Sequence, residues 1–417
     1  MSGPPGDEMR TISKRTGKKG FTLVELMVAL VVASIVLYGV YMLYEKSSSA
    51  FRVQNQIADL VQSLRFGAEH LKRDMARAGF QSTTNSETDP AVCFNEAAMP
   101  LLGLIIRRDG EIDPIDSTVW NPGANPNILP TSVAMLGDFW SRGAFITGRV
   151  SGSQVELNRG YYYDPGDDGV LDSAAFPSDD VLEYWFREHR MLRLVTQSGQ
   201  EMYYRIQSFS PDGGGPAGTW PVVTLNQAVP IAFDGTGCGV EGEGTGLLVN
   251  PVGYVRYRIA RDVRPEAPDG KYDLVREELD PDTLDPVPRT MLVISEYAVD
   301  LHFYDFIFDD GTRLQPSLTR ISAVDAWLDS TSVSGAGGEG RLGWSVGPEP
   351  DRLRSLTMKL SVRTPTEDPN NPHRLRTGRF APLETFMVDP LRDGSARVRS
   401  AATRVMLNNF QSRQTFF

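Results

Sequence analysis

The sequence predicts an α+β protein in which one long N-terminal helix, transmembrane and then amphipathic, packs on a large antiparallel β-rich head. Three observations predict it. Residues 21–44 are apolar except for Glu25. Between residues 53 and 78 apolar side chains recur at three- and four-residue steps, the period of a helix with one buried face. Beyond Gly79 the pattern changes to short alternating or β-branched runs separated by Gly- and Pro-rich turns. The chain thus divides into a basic leader at 1–20, a helix at 21–79 whose transmembrane part is 21–44, and an extracytoplasmic head at 80–417. Within the head, about 95–250 stands as a candidate insertion.

Composition and charge narrow the function. The chain has 417 residues, 41% of them hydrophobic, enough for a sizeable core and long enough for two or three domains. With 39 Gly, 28 Pro and 9% aromatic residues it is turn-rich, as β-structure requires. A net charge of −11 argues against a nucleic-acid partner, which needs a basic stripe. The distribution matters more than the total. Residues 1–20 carry Arg10, Lys14, Arg15, Lys18 and Lys19 against Asp7 and Glu8, a net of +3, and the rest of the chain carries −14. A basic arm ahead of an apolar run keeps its own side cytoplasmic and sends the far side across the membrane.

As a helix, 21–44 is roughly 36 Å long, enough for a hydrocarbon core of about 30 Å. A plain signal anchor fits the hydropathy. A secretory signal with small residues at Ser48-Ser49-Ala50 fits less well, because the apolar run exceeds an h-region and Glu45 and Lys46 intervene. Glu25 separates these readings from a third. A carboxylate in a membrane segment is costly and needs a partner or a purpose. It lies five residues into the apolar run, directly after Lys18-Lys19-Gly20.

The stretch KKGFTLVELMVAL resembles the class III signal of type IV prepilins: a basic leader, Gly20 at the cut site, Phe21 as the new N-terminus and Glu25 at the fifth mature position. The resemblance implies cleavage between Gly20 and Phe21 by prepilin peptidase, N-methylation of Phe21, and a role for Glu25 in subunit assembly, where it meets a neighbour's N-terminus. It also implies the partners: other major and minor pilins, an inner-membrane assembly platform and inner-membrane lipid. The protein would be single-pass in the inner membrane, N-terminus cytoplasmic and head periplasmic, before reaching a pilus or the cell surface. The proline that many major pilins carry at the twenty-second mature position is absent, since Met42 is there.

The helix continues with Val53, Ile57, Leu60, Val61, Leu64, Ala68, Leu71, Met75 and Ala78 on one face and Asp59, Arg65, Glu69, Lys72, Arg73 and Arg77 among those on the other. Gly79 is a natural stop. Gly39 either weakens the apolar half locally or packs against another helix. Strand patterns follow at 144–150, 154–157, 202–209, 222–225, 252–259, 272–277, 291–308 and 353–362, with turns at Pro268-Asp269-Gly270 and Asp309-Asp310-Gly311. LKRDMARAGF (71–80), GYVRYRIA (253–260), DLVREEL (273–279), VISEYAVDLHFYDF (293–306), LRSLTMKLSVRT (353–364) and RVRSAATRVMLNN (397–409) resemble, in that order, the PilW group of minor pilins. Pseudopilin J of type II secretion is similar in layout and usually much shorter.

Little points to catalysis. His70, His189, His302 and His373 form no ligand spacing and read as surface or structural residues. There is no Walker A sequence. The GxGxxG at 237–242 has acidic neighbours and precedes a strand pattern, so it reads as a loop. Asp164, Asp167, Asp168 and Asp172 offer either a calcium site or a solvated acidic turn, and no other cofactor is suggested. Cys93 and Cys238 are either bonded across a loop of about 145 residues or two free thiols. The function expected is a minor pilin that primes or joins a type IV pilus. The alternatives are a secretion pseudopilin and a membrane-anchored adhesin, with an enzyme least supported.

Overall fold

The computed structural model describes residues 21–93, 100–108, 125, 128, 130–141, 143–163, 171–172, 176–215, 218–232, 238–262, 271–309, 318–323, 352–377, 381–389, 391 and 394–410. A helix, α1, runs unbroken over Leu23–Arg77, through Gly39. Gly79 ends it at φ +73°, the left-handed turn that glycine adopts without a Cβ penalty, and its N–H donates to the Leu136 carbonyl at 2.8 Å.

The strands that follow are antiparallel throughout. In chain order they are β1 (Leu104–Arg108), β2 (Thr131–Gly137), β3 (Ala144–Ser151), β4 (Gln154–Tyr163), β5 (Leu171–Asp172), β6 (Met191–Val195), β7 (Glu201–Gly214), β8 (Trp220–Leu225), β9 (Leu248–Arg261), β10 (Tyr272–Leu279) and β11 (Leu292–Ser295). A second sheet contains β12 (Ala298–Asp309), β13 (Leu318–Ala323), β14 (Leu353–Arg363), β15 (Thr385–Phe386) and β16 (Ala396–Met406), ordered β13-β12-β14-β16-β15. A short helix α2, Asp179–Trp185, lies between β5 and β6.

Strand β9 organises the first sheet. Its first half, Leu248–Val252, pairs with β3 on one side and with β6 on the other. Because β3, β4, β8, β7 and β6 are themselves paired in that order, six strands close into a barrel. Closure removes the exposed edges that a six-stranded open sheet would leave. Phe145, Val155, Leu157, Leu194, Ile206, Val223 and Val249 fill its core, and α2 contributes Leu182. The second half of β9 pairs instead with β2 and β10, giving an open sheet β1-β2-β9-β10-β11. The stretch from 95 to 250 therefore supplies two strands to the open sheet and six to the closed system with its β5 appendage.

The open sheet and the second sheet enclose the largest core, and the second half of α1 is part of it. Leu60, Leu64, Ala68, Leu71 and Met75 pack with Val133, Val255 and Leu274 of one sheet and Phe303, Leu356 and Leu360 of the other. Gly67 allows the approach: a Cβ there would stand 2.8 Å from the Ser295 Cβ and 3.0 Å from the Leu360 Cδ2. Beside it Ser63 and Ser295 share a hydrogen bond of 2.9 Å. Within this apolar contact sits one polar lock. Asp74 accepts from the Tyr257 hydroxyl at 2.6 Å and from Arg276 Nε at 2.8 Å. The Tyr257 proton is thereby committed, so the 2.7 Å contact from His70 requires a proton on His70 Nδ1. Burial lowers the His70 pKa and keeps the ring neutral, and burial raises the Tyr257 pKa.

The end of α1 clamps the turn after β2. One Arg77 nitrogen donates to the carbonyls of Asp138 and Ser141, each at 2.8 Å. Asp138, fully buried, accepts from the Trp140 and Ser141 amides and from the Ser141 hydroxyl. At the junction of barrel and open sheet, buried Arg190 lies 3.7 Å from the Trp140 ring centroid and donates to both Glu278 oxygens at 3.0 Å.

Two expectations from the sequence are corrected. The run 291–308 is two strands rather than one, because Glu296 and Tyr297 form a turn with Tyr297 at φ 56°, held by Asp273 Oδ1 accepting its N–H at 2.9 Å. Arg77 is not a bystander on a polar face but fastens the helix to the head, and His70 takes the structural one of its two readings. The turns at 268–270 and 310–311 lie outside the described residues.

Two predictions follow from this packing. Asp74→Ala removes the acceptor of Arg276 Nε and of the Tyr257 hydroxyl proton and should destabilise the head by about 3 kcal/mol. Denaturant unfolding followed by tryptophan emission measures it, since all six tryptophans lie beyond residue 119. Asp138 has its pKa pushed up by burial to about 7, against its hydrogen bonds and Arg77. A raised acid stabilises the fold in its protonated form, so this contribution is complete below about pH 4 and lost as pH rises through about 7. Asp138→Asn should flatten that part of the stability profile, as read from denaturation midpoints at about pH 5 and pH 8.

Candidate membrane anchor and assembly site

The first half of α1 is apolar on every side. From Phe21 to Tyr44 its large side chains are exposed, Phe21 at 85%, Leu30 at 61% and Tyr44 at 70%. Water does not tolerate a continuous apolar cylinder of this length, whereas a bilayer core matches it. The backbone is suited to lipid as well, because every amide past the first turn is bonded within the helix. The Ser34 hydroxyl is also satisfied internally, donating to the Val31 carbonyl at 2.8 Å.

Glu25 stands in the first turn. The Thr22 amide and the Thr22 hydroxyl both donate to Glu25 Oε2 at 2.9 Å, and the Glu25 amide donates back to the Thr22 hydroxyl at 3.2 Å. This is a capping box, T-x-x-E, in which two otherwise orphaned amides of the helix start are satisfied reciprocally. The Leu26 amide then opens the helical ladder on the Thr22 carbonyl. The carboxylate is thus held at the positive end of the helix dipole. Both donors use Oε2, which leaves Oε1 with acceptor capacity for a further partner. Next to it the helix surface is a shallow groove lined by Val24, Val28, Ala29, Val32 and Ala33, where the two alanines leave room for another side chain or helix.

The other residues singled out from the sequence are placed as follows. Gly20 lies outside the described residues, adjoining Phe21. Cys93 and Cys238 are bonded to each other, with Cα atoms 5.6 Å apart across 145 residues. The bond fastens the segment leaving the helix to a loop at the barrel. That same segment is pinned beside it by the Cys93 amide on the Glu201 carbonyl at 2.9 Å. Of the four aspartates considered for calcium, Asp164, Asp167 and Asp168 lie outside the described residues, and Asp172 is in β5 opposite Tyr162. His189 is half-buried, 2.9 Å from Asp280.

Thr22 was not among the residues the sequence reading picked out, although Thr-x-x-Glu before an apolar run is a recognisable start signal. Thr22→Val keeps the shape and removes the hydroxyl, and should cost about 1 kcal/mol of local helix stability. Amide exchange in detergent micelles should then show faster exchange confined to the first turn, with the rest of α1 unchanged.

A family model described as the prokaryotic N-terminal methylation motif matches residues 15–41, from the basic leader through Gly20, Phe21 and Glu25 into the apolar helix. No curated protein and no solved structure matches the chain. The chain carries a type IV pilin-like N-terminal signal on an apolar helix, which supports membrane anchoring, processing by prepilin peptidase and association with pilins.

Proposed function

We propose that this protein is a minor pilin-like subunit, of the PilW kind, that primes or joins type IV pilus assembly. The observation that carries the reading is the Thr22–Glu25 cap inside the matched motif: a carboxylate held at the start of an unpartnered apolar helix, with one oxygen open. Cleavage after Gly20 frees an amine on Phe21 with an unperturbed pKa near 8, cationic at neutral pH. In lipid that ammonium and a carboxylate each need an opposite charge. Within one chain Thr22 neutralises only part of the demand of Glu25, by hydrogen bonding and not by charge. A second subunit offering its ammonium to Glu25 Oε1 completes the pair, and the Ala29–Ala33 groove gives its helix a seat. Methylation of Phe21 leaves the positive charge in place. The head would then be periplasmic until the assembly platform extracts the subunit into the filament.

A secretion pseudopilin uses the same anchor, and the order of head motifs, similar to pseudopilin J as well as to PilW, keeps it as the second reading. The fraction in which the protein is found separates the two. In cells lacking the wild-type copy, mature protein should begin at Phe21, Gly20→Val should accumulate uncleaved, and Glu25→Ala should be cleaved and membrane-bound at normal levels yet be depleted several-fold from sheared pili. An N-terminus at Phe51 would overturn the signal reading. Full incorporation of Glu25→Ala would remove the charge-pairing mechanism, and absence of the wild-type protein from pili would favour the pseudopilin.

A further inference from the structure

The apolar run of α1 is roughly 36 Å long, whereas the hydrocarbon core of a bilayer is about 30 Å thick. Length alone therefore does not fix where along the run the core ends. The hydroxyl groups do. Ser34 satisfies its own by donating to the Val31 carbonyl at 2.8 Å. Tyr38, Tyr41 and Tyr44 are exposed, and their hydroxyls make no hydrogen bond among the described residues. Recurring at three-residue steps, they share one side of the helix, within about a third of its circumference.

A hydroxyl without a partner is costly in hydrocarbon. A tyrosine at the membrane surface avoids that cost, with its ring against the acyl chains and its oxygen among headgroups and water. The direction of the side chains then places the boundary. The basic leader sets the helix start on the cytoplasmic side. Helical side chains lean toward the N-terminus, so a tyrosine near the outer surface carries its hydroxyl back toward the core. For the Tyr38 hydroxyl to reach headgroups, the backbone at residue 38 must already stand at the boundary. Polar residues follow the last tyrosine at once: Glu45, Lys46, Ser47, Ser48 and Ser49.

We propose that Tyr38, Tyr41 and Tyr44 bind the outer headgroup layer of the membrane, so that the part of the anchor that crosses hydrocarbon ends at Leu37. From Thr22 to Leu37 the helix rises roughly 24 Å, about 6 Å less than the core it has to cross. The bilayer thins around so short an anchor, or short anchors gather and share the thinned patch. Either response suits a subunit that waits in the membrane and is later withdrawn from it. The inference rests on the membrane-anchor reading and not on incorporation into pili, because depth in a bilayer is measured without pili.

The test is spin-label depth in the full chain, reconstituted in vesicles of phosphatidylcholine with 18-carbon acyl chains. Ser34→Cys, Leu37→Cys, Val40→Cys and Leu43→Cys each supply one thiol for the label, since Cys93 and Cys238 are bonded to each other. Labels at 34 and 37 should be relaxed by oxygen, as in hydrocarbon. Labels at 40 and 43 should be relaxed by a water-soluble nickel chelate, as among headgroups. Replacing all three tyrosines by leucine should draw the label at 40 inward by about 6 Å, the shortfall that the tyrosines impose. Hydrocarbon depth at 40 and 43 with the tyrosines present would overturn the proposal, as would an unchanged depth at 40 without them. Shielding of 40 and 43 from both reagents would overturn it as well, by showing that a second helix and not lipid covers this side.

Discussion

A single helix here has to satisfy two solvents, and the rest of the molecule is arranged around that constraint. Its first half exposes apolar side chains on all sides, so it is stable only where lipid surrounds it. Its second half has one face inside the largest protein core. Apolar contacts would allow that face to slide or rotate by a residue at little cost. Gly67 and Asp74 remove the freedom. Gly67 permits contact with Ser295 and Leu360 at one position along the helix, and Asp74 reaches Tyr257 and Arg276 at one rotation. A buried carboxylate adds little net stability, but misplacing it leaves three polar groups unpaired, and that penalty selects one docking.

Below that docking, β9 links two different solutions to the edge problem of sheets. Its second half lies in an open sheet whose inner face is covered by α1 and the second sheet. Its first half belongs to a closed barrel. The change of partners along one strand, from β3 and β6 to β2 and β10, occurs between Val252 and Gly253. Gly253 lets the Trp140 ring approach to where a Cβ would stand, 2.9 Å away, and that ring in turn covers Arg190. The disulfide and the Arg190–Glu278 pair then fasten the barrel to the parts of the chain nearest the helix.

How much of this was legible depended on the range of the interactions. The helix was readable because its signals are local: the apolar run, the 3-4 spacing, Gly79, and Glu25 five residues past a basic boundary. The capping box was equally local and lay open in Thr22-x-x-Glu25. Most strand cores were visible as alternating runs, whereas β1, β2, β6, β13 and β16 were not picked out as strands. In β2 every residue is buried, and in β1 Leu104, Ile105 and Ile106 are, which erases the alternation, while β16, which pairs with β15 over two residues only, is mostly polar. Arg77 fell on the wrong side of the helix account because its partner, the 138–141 turn, is far away in sequence. The sequence by itself determined the anchor, the helix and the β-rich class of the head, since these follow from side chains within a few turns of one another. Only the tertiary structure decided that β9 closes a barrel and that Asp74 sets the helix register. Those outcomes depend on pairings between segments up to about 200 residues apart, whose choice is made by the packing of the whole core and not by any local pattern.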